Sequence, residues 1–183
     1  MALAQALLAA LSREPLSGYD LTQRFDGSLG YFWQASHQQI YRELAKLAAQ
    51  QQLDVIVQTQ AKRPDRKMYS ITVAGREALA NWLQTSVQPM PIRDDLLVKL
   101  YAGEWAQPEL LLVELREHQR YHQQKHMIYT TIAERYFSHP TLSYGEVCMK
   151  LTLDYGLSYE KNWLQWCEEA LRQIAHHAAI HKA

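Results

Sequence analysis

The period of the apolar residues changes twice between Ser36 and Gln84, and this change restricts the fold more than any other feature. Ser36 is a good N-cap, and Ile40, Leu44 and Leu47 follow at helical spacing, which predicts a helix to about Gln51. Leu53, Val55 and Val57 then alternate with Asp54, Ile56 and Gln58 in a β-branched stretch that reads as a strand. A polar stretch around Pro64-Asp65 turns the chain, Met68-Tyr69-Ser70-Ile71 makes a second short strand, and Thr72 caps a helix from Val73 to about Gln84. Upstream, Leu3, Leu7, Leu8 and Leu11 mark a helix over residues 2–12 that stops near Pro15. Ser17-Gly18-Tyr19-Asp20 is turn chemistry leading into another apolar-periodic stretch, Tyr19 to Phe25, which ends around Gly27. Three helices, strand, turn, strand and helix outline a winged helix-turn-helix.

Gln88-Pro89-Met90-Pro91 breaks the helical pattern and divides the chain into residues 1–87 and 92–183. The second part reads as all α, so the chain is mainly α. Asp94 or Asp95 opens a short helix to about Tyr101, and Pro108 stands at the first position of a helix running to about Phe137. After His139-Pro140 a last helix runs from about Ser143 to beyond Ile174. It carries Tyr155, Tyr159, Trp163 and Trp166, more apolar surface than so small a domain buries alone, so this part is expected to form a homodimer. Cys148 and Cys167 form no metal-like pair and read as packed thiols. No apolar run approaches the ~20 residues of a membrane span, and the start lacks a basic signal region, so a cytoplasmic protein is expected.

The formal net charge is zero, but the cations are not spread evenly. Lys62, Arg63, Arg66 and Lys67 crowd the turn between the two strands, with Asp65 the one anion among them. Such a wing can follow phosphates or enter a minor groove. The exposed side of the third helix carries Ser36, His37, Gln38, Gln39, Tyr41, Arg42 and Lys46. Gln can bond adenine bidentately and Arg guanine, while Ser, Tyr and Lys suit the backbone. Double-stranded DNA is therefore the expected partner. Arg24 and Arg76 are weaker candidates.

The blocks Ser17-Gly18-Tyr19-Asp20, Gly30-Tyr31-Phe32-Trp33, Ser36 through Leu44, and Pro64 through Thr72 with Ala74-Gly75-Arg76 resemble the PadR family of transcriptional regulators. The likeness is greatest to its AphA-like branch, in which an α-helical virulence-activator domain follows the winged helix. It covers the first ninety or so residues strongly and the rest more loosely, through Arg93-Asp94 and the Trp163–Trp166 region. The resemblance implies homodimers on palindromic operators, usually repression and in some members activation. It places the recognition positions at Ser36–Arg42 and Lys46, and the wing at Arg63–Lys67. Members that answer phenolic acids or planar drugs imply room for a small aromatic effector, for which Tyr31, Phe32, Trp33, Trp163 and Trp166 are the candidate lining.

Other chemistries fit less well. There is no Gly-rich phosphate loop, nucleophile elbow or paired-histidine zinc helix, so no enzyme and no cofactor is expected. His118, His122 and His126 recur every four residues and could surround a metal, but no Cys or acidic ligand accompanies them at matched positions. A metal or ligand sensor of the same fold, or a winged helix that binds protein, stands as the alternative.

Overall fold

The computed structural model describes residues 2–26, 33–59, 66–89 and 91–180. The chain divides into two compact units, Met1–Pro89 and Met90–Ala183.

The first unit runs α1 (Leu3–Leu11), β1 (Leu16–Ser17), α2 (Gly18–Asp26), α3 (His37–Ala49), β2 (Leu53–Gln58), β3 (Arg66–Ile71) and α4 (Val73–Leu83). The sheet order is β1-β3-β2, with both pairs antiparallel. Leu7, Leu8 and Leu11 of α1, Leu21 of α2 and Ile40, Leu44 and Leu47 of α3 are almost wholly buried in one core, closed by Leu53, Tyr69 and Ile71 from the strands. Local chemistry fixes the ends of these elements. Gln51 takes the left-handed conformation (φ 57°) after α3, and the Gln52 N–H returns to the Leu47 carbonyl at 3.0 Å, the usual way to stop a helix. Thr72 accepts from the Gly75 N–H at 3.1 Å to open α4, while its hydroxyl donates to the Gln51 carbonyl at 2.8 Å.

The strands differ from the sequence expectation in three respects. β1 is two residues long and takes in Ser17, which the sequence places in a turn, because so short a strand shows no period; its existence depends on Leu16 and Ser17 facing Tyr69 and Met68. β3 begins at Arg66 rather than Met68, because Gln58 and Val57 extend the ladder outward. β2 buries Leu53 alone, while Val55, Ile56 and Val57 lie in the open. β2 leaves the core as it lengthens, so alternation in its sequence is not matched by alternation in burial, whereas β3 still buries Tyr69 and Ile71.

The second unit comprises α5 (Asp95–Tyr101), a 3₁₀ turn (Gly103–Trp105), α6 (Pro108–Tyr136) and α7 (Tyr144–Ile180). Asp94 caps α5 by accepting from the Leu96 and Leu97 N–H groups at 2.9 and 3.4 Å. Ser143 and Glu146 bond reciprocally at the start of α7: the Ser143 N–H donates to the Glu146 carboxylate at 2.8 Å and the Ser143 Oγ accepts from the Glu146 N–H at 3.4 Å. α6 and α7 pack antiparallel, Leu115 near Cys167 and His122 beside Glu160. Leu96 of α5 completes the core, with Leu100, Trp163, Trp166, Leu171 and Ile174 around it. Burial raises the Cys167 thiol above its usual value. Among the described residues no helix is long and apolar enough to cross a membrane.

Candidate nucleic-acid interface

α3 is held on one side by Ile40, Leu44 and Leu47, each at most 1% exposed. With 3.6 residues per turn, the row diametrically opposite is Gln38, Arg42 and Ala45, flanked by Lys46 and Tyr41, all exposed. His37 and Gln39 are also exposed, nearer the ends of the first turn. Every residue the sequence assigned to this face is therefore accessible, but they are not equivalent. Ser36 and Gln39 form a complete capping box: the Ser36 Oγ accepts from the Gln39 N–H at 3.2 Å, and the Gln39 Oε1 accepts from the Ser36 N–H at 2.8 Å. Gln39 thus closes the helix terminus, a role the sequence reading did not give it although the Ser-x-x-Gln spacing states it. Gln38 and Arg42 carry no such duty.

A second group of residues joins α2, α3 and β3. The Ser17 Oγ accepts from the Asp20 N–H at 3.1 Å, capping α2, and the Asp20 Oδ2 accepts in return from the Ser17 N–H and Oγ at 3.1 and 2.8 Å. The same oxygen accepts from the Arg66 guanidinium at 2.5 Å. Burial alone would raise the Asp20 carboxyl, but the hydrogen bonds from Ser17 and Arg66 and the charge of Arg66 outweigh it and hold the group below its usual value. Beside it, Gly18 admits the Tyr41 ring: a β-carbon there would lie 2.4 Å from the ring. Tyr69 lies nearby, its hydroxyl raised by burial and by Tyr41. Sequence reasoning gave Asp20 and Gly18 no such contacts, because Arg66 and Tyr41 lie far along the chain.

Of the predicted wing cations, Arg63 lies outside the described residues, as does Lys62. Arg66 is half-exposed and paired with Asp20, and Lys67 is exposed on β3. Of the weaker candidates, Arg24 pairs with Glu14, and Arg76 reaches the Ser12 carbonyl at 3.5 Å, both on the surface of the first unit.

The aromatic residues fall on both units. Tyr31 and Phe32 lie outside the described residues, Trp33 packs against the first unit's core, and Trp163 and Trp166 pack edge to face (5.0 Å) in the second. The histidine row also finds packing partners. His122 lies flat on Trp163 (4.5 Å, 9°) with its Nδ1 2.5 Å from Glu160, and His118 stacks on the same Trp at 6.0 Å. His126 lines an open groove of about 460 Å³ with Gln119, Gln123, Lys161 and Glu168. Among the described residues no three His, Cys, Asp or Glu side chains are grouped to hold a metal.

Residues 7–81 match the transcriptional regulator PadR-like family, and residues 92–175 match the virulence activator alpha C-terminal family. A probable transcriptional regulator of Mycobacterium tuberculosis is 32% identical over 95% of this chain and 98% of its own length. The negative transcriptional regulator PadR of Bacillus subtilis is 32% identical over 92% and 95%. Its crystal structure in complex with operator DNA superposes with a TM-score of 0.77, at 30% identity and covering 95% of this chain and 99% of that one. PadR has also been solved with p-coumaric acid. The Vibrio cholerae virulence activator AphA gives a TM-score of 0.76 at 32% identity, covering 96% and 99%. Winged helix, capped α3, helical second unit and full-length likeness agree, and the chain belongs to the PadR-like family of transcriptional regulators.

Proposed function

We propose that the chain regulates transcription by binding operator DNA sequence-specifically as a homodimer. In this reading α3 enters the major groove, the β2–β3 hairpin follows the backbone, and the second unit joins the two protomers. The observation that carries it is the outward row of α3. Gln38 and Arg42 project from a helix whose other side is locked in the core, and Ala45 leaves room for close approach to base edges. The solved complex of the B. subtilis relative with operator DNA supports the same use of the fold.

Dimerisation is supported by α7, which presents Tyr144, Val147, Leu151 and Tyr155 as an exposed stripe on the side away from α6. Two winged helices joined this way would meet half-sites about 34 Å apart, one turn of DNA. The protein would act without catalysis, in the cytoplasm where its operators lie. Repression is the sign favoured by the negative regulator among its relatives. Selection of bound duplexes from random DNA, with sedimentation of the free protein, tests the proposal. Enriched palindromes and a dimer are expected; unselected binding by a monomer would overturn it.

A second reading adds a small aromatic effector, favoured by the relative solved with p-coumaric acid. Titrating that acid into the operator complex and finding release would support it; unchanged affinity at millimolar acid would count against it.

A further inference from the structure

We propose that Asp20 is a positioning residue for DNA binding: through Arg66 it fixes the outer end of the β2–β3 ladder against α2, and Arg66 serves this clamp rather than a phosphate. The inference rests on the operator-binding reading above.

Two sequence blocks 46 residues apart meet at one carboxylate oxygen. Asp20 Oδ2 takes hydrogen bonds from the Ser17 N–H, the Ser17 Oγ and the Arg66 guanidinium, so one atom ties the first turn of α2 to the first residue of β3. The clamp stands where the three DNA-side elements converge. Ser17 is itself part of β1 and pairs with Met68 of β3, and the Tyr41 ring of α3 covers Gly18 in the same turn. Recognition helix and wing are therefore both registered on Ser17-Gly18-Tyr19-Asp20. Outward of Leu53 and Tyr69 no residue of either hairpin strand is buried, so a charged hydrogen bond at the outer end of the ladder, where Arg66 faces Gln58, sets the angle at which Lys67 and the wing meet DNA.

The sign of one substitution separates this role from its rival. Asp20 is an anion on the face that would meet phosphates, so removing its charge should tighten DNA binding if charge alone matters. If Asp20 positions the wing, removing the charge should weaken binding. Asp20→Asn keeps an oxygen to cap α2 and loses the ion pair. The experiment uses the full-length chain and its selected operator at fixed salt, with the folded fraction normalised by circular dichroism. Asp20→Asn, whose amide oxygen still accepts from Ser17 but no longer carries the charge that holds Arg66, is expected to bind roughly tenfold more weakly, the scale on which a hydrogen bond between charged groups exceeds a neutral one. Arg66→Gln, which leaves the α2 cap untouched, should lose as much, and the double variant scarcely more than either, because both residues act through one contact.

Asp20→Asn at or above wild-type affinity would overturn the inference. So would an Arg66→Gln loss that is undiminished in the Asp20→Asn background, since Arg66 would then bind phosphate independently. Wild-type protein that failed to distinguish its operator from random DNA would overturn the operator-binding reading, and this inference with it.

Discussion

His122 Nδ1 and Glu160 Oε2 lie 2.5 Å apart between α6 and α7, and each side chain is only 7% exposed. Trp163 lies flat against the imidazole, so neither partner can turn to water if the other is removed. Glu160→Ala or His122→Ala should each cost about 2–4 kcal/mol, because a buried polar group is left unpaired. Leu at both positions should cost less than either single change. Urea unfolding followed by tryptophan fluorescence measures this, and a double Leu variant that lost as much as the two alanine changes together would contradict the pairing.

Two glycines should respond oppositely to alanine. A β-carbon on Gly75 would lie 2.2 Å from the Gln52 carbonyl oxygen and 2.8 Å from Ile71, so Gly75→Ala forces backbone apart and should cost about 1–3 kcal/mol. At Gly145, in the first turn of α7, the added carbon meets open space. Gly145→Ala should be neutral or stabilise by up to about 1 kcal/mol. Thermal melts of the two variants check the contrast.

The helices were largely legible in the sequence, and the reason is local. Ser36, Thr72 and Asp94 each accept from backbone N–H groups within three residues, and the Ile40-Leu44-Leu47 stripe is a property of one helix. What could not be read depends on distant partners. β1 exists only through β3, Arg66 looks like a free wing cation until Asp20 arrives beside it, and nothing near His118 and His122 in sequence announces Trp163 and Glu160 as their packing partners. Gln39 is a different case: its cap was visible in Ser-x-x-Gln, but its polarity on an exposed helix suggested base contact first.

That distinction can be measured. Gln39→Ala removes half of the capping box and should lower stability by about 1 kcal/mol. Gln38→Ala removes nothing from the fold and should leave the melting temperature unchanged. Equal melting temperatures for the two variants would show that the cap contributes nothing to stability in solution.

Lys67 tests the wing. It is exposed on β3, and a phosphate contact there would act on all sequences alike. Lys67→Ala should weaken operator and random DNA by similar factors and flatten the log–log salt dependence by about one unit. An unchanged slope would mean that this part of the wing points away from DNA.

If the outward row of α3 reads sequence, the ratio of operator to random-DNA affinity depends on it. Measured at one salt concentration, the wild-type dimer should favour its selected operator by about a thousandfold or more. Each good base contact is worth about 1–3 kcal/mol, so the Gln38→Ala/Arg42→Ala double variant should lose at least about tenfold of that ratio. Its melting temperature and dimerisation should not change, because neither residue touches the core. A ratio that stayed at the wild-type value in this variant would show that α3 does not read sequence and that another element, or DNA shape, does.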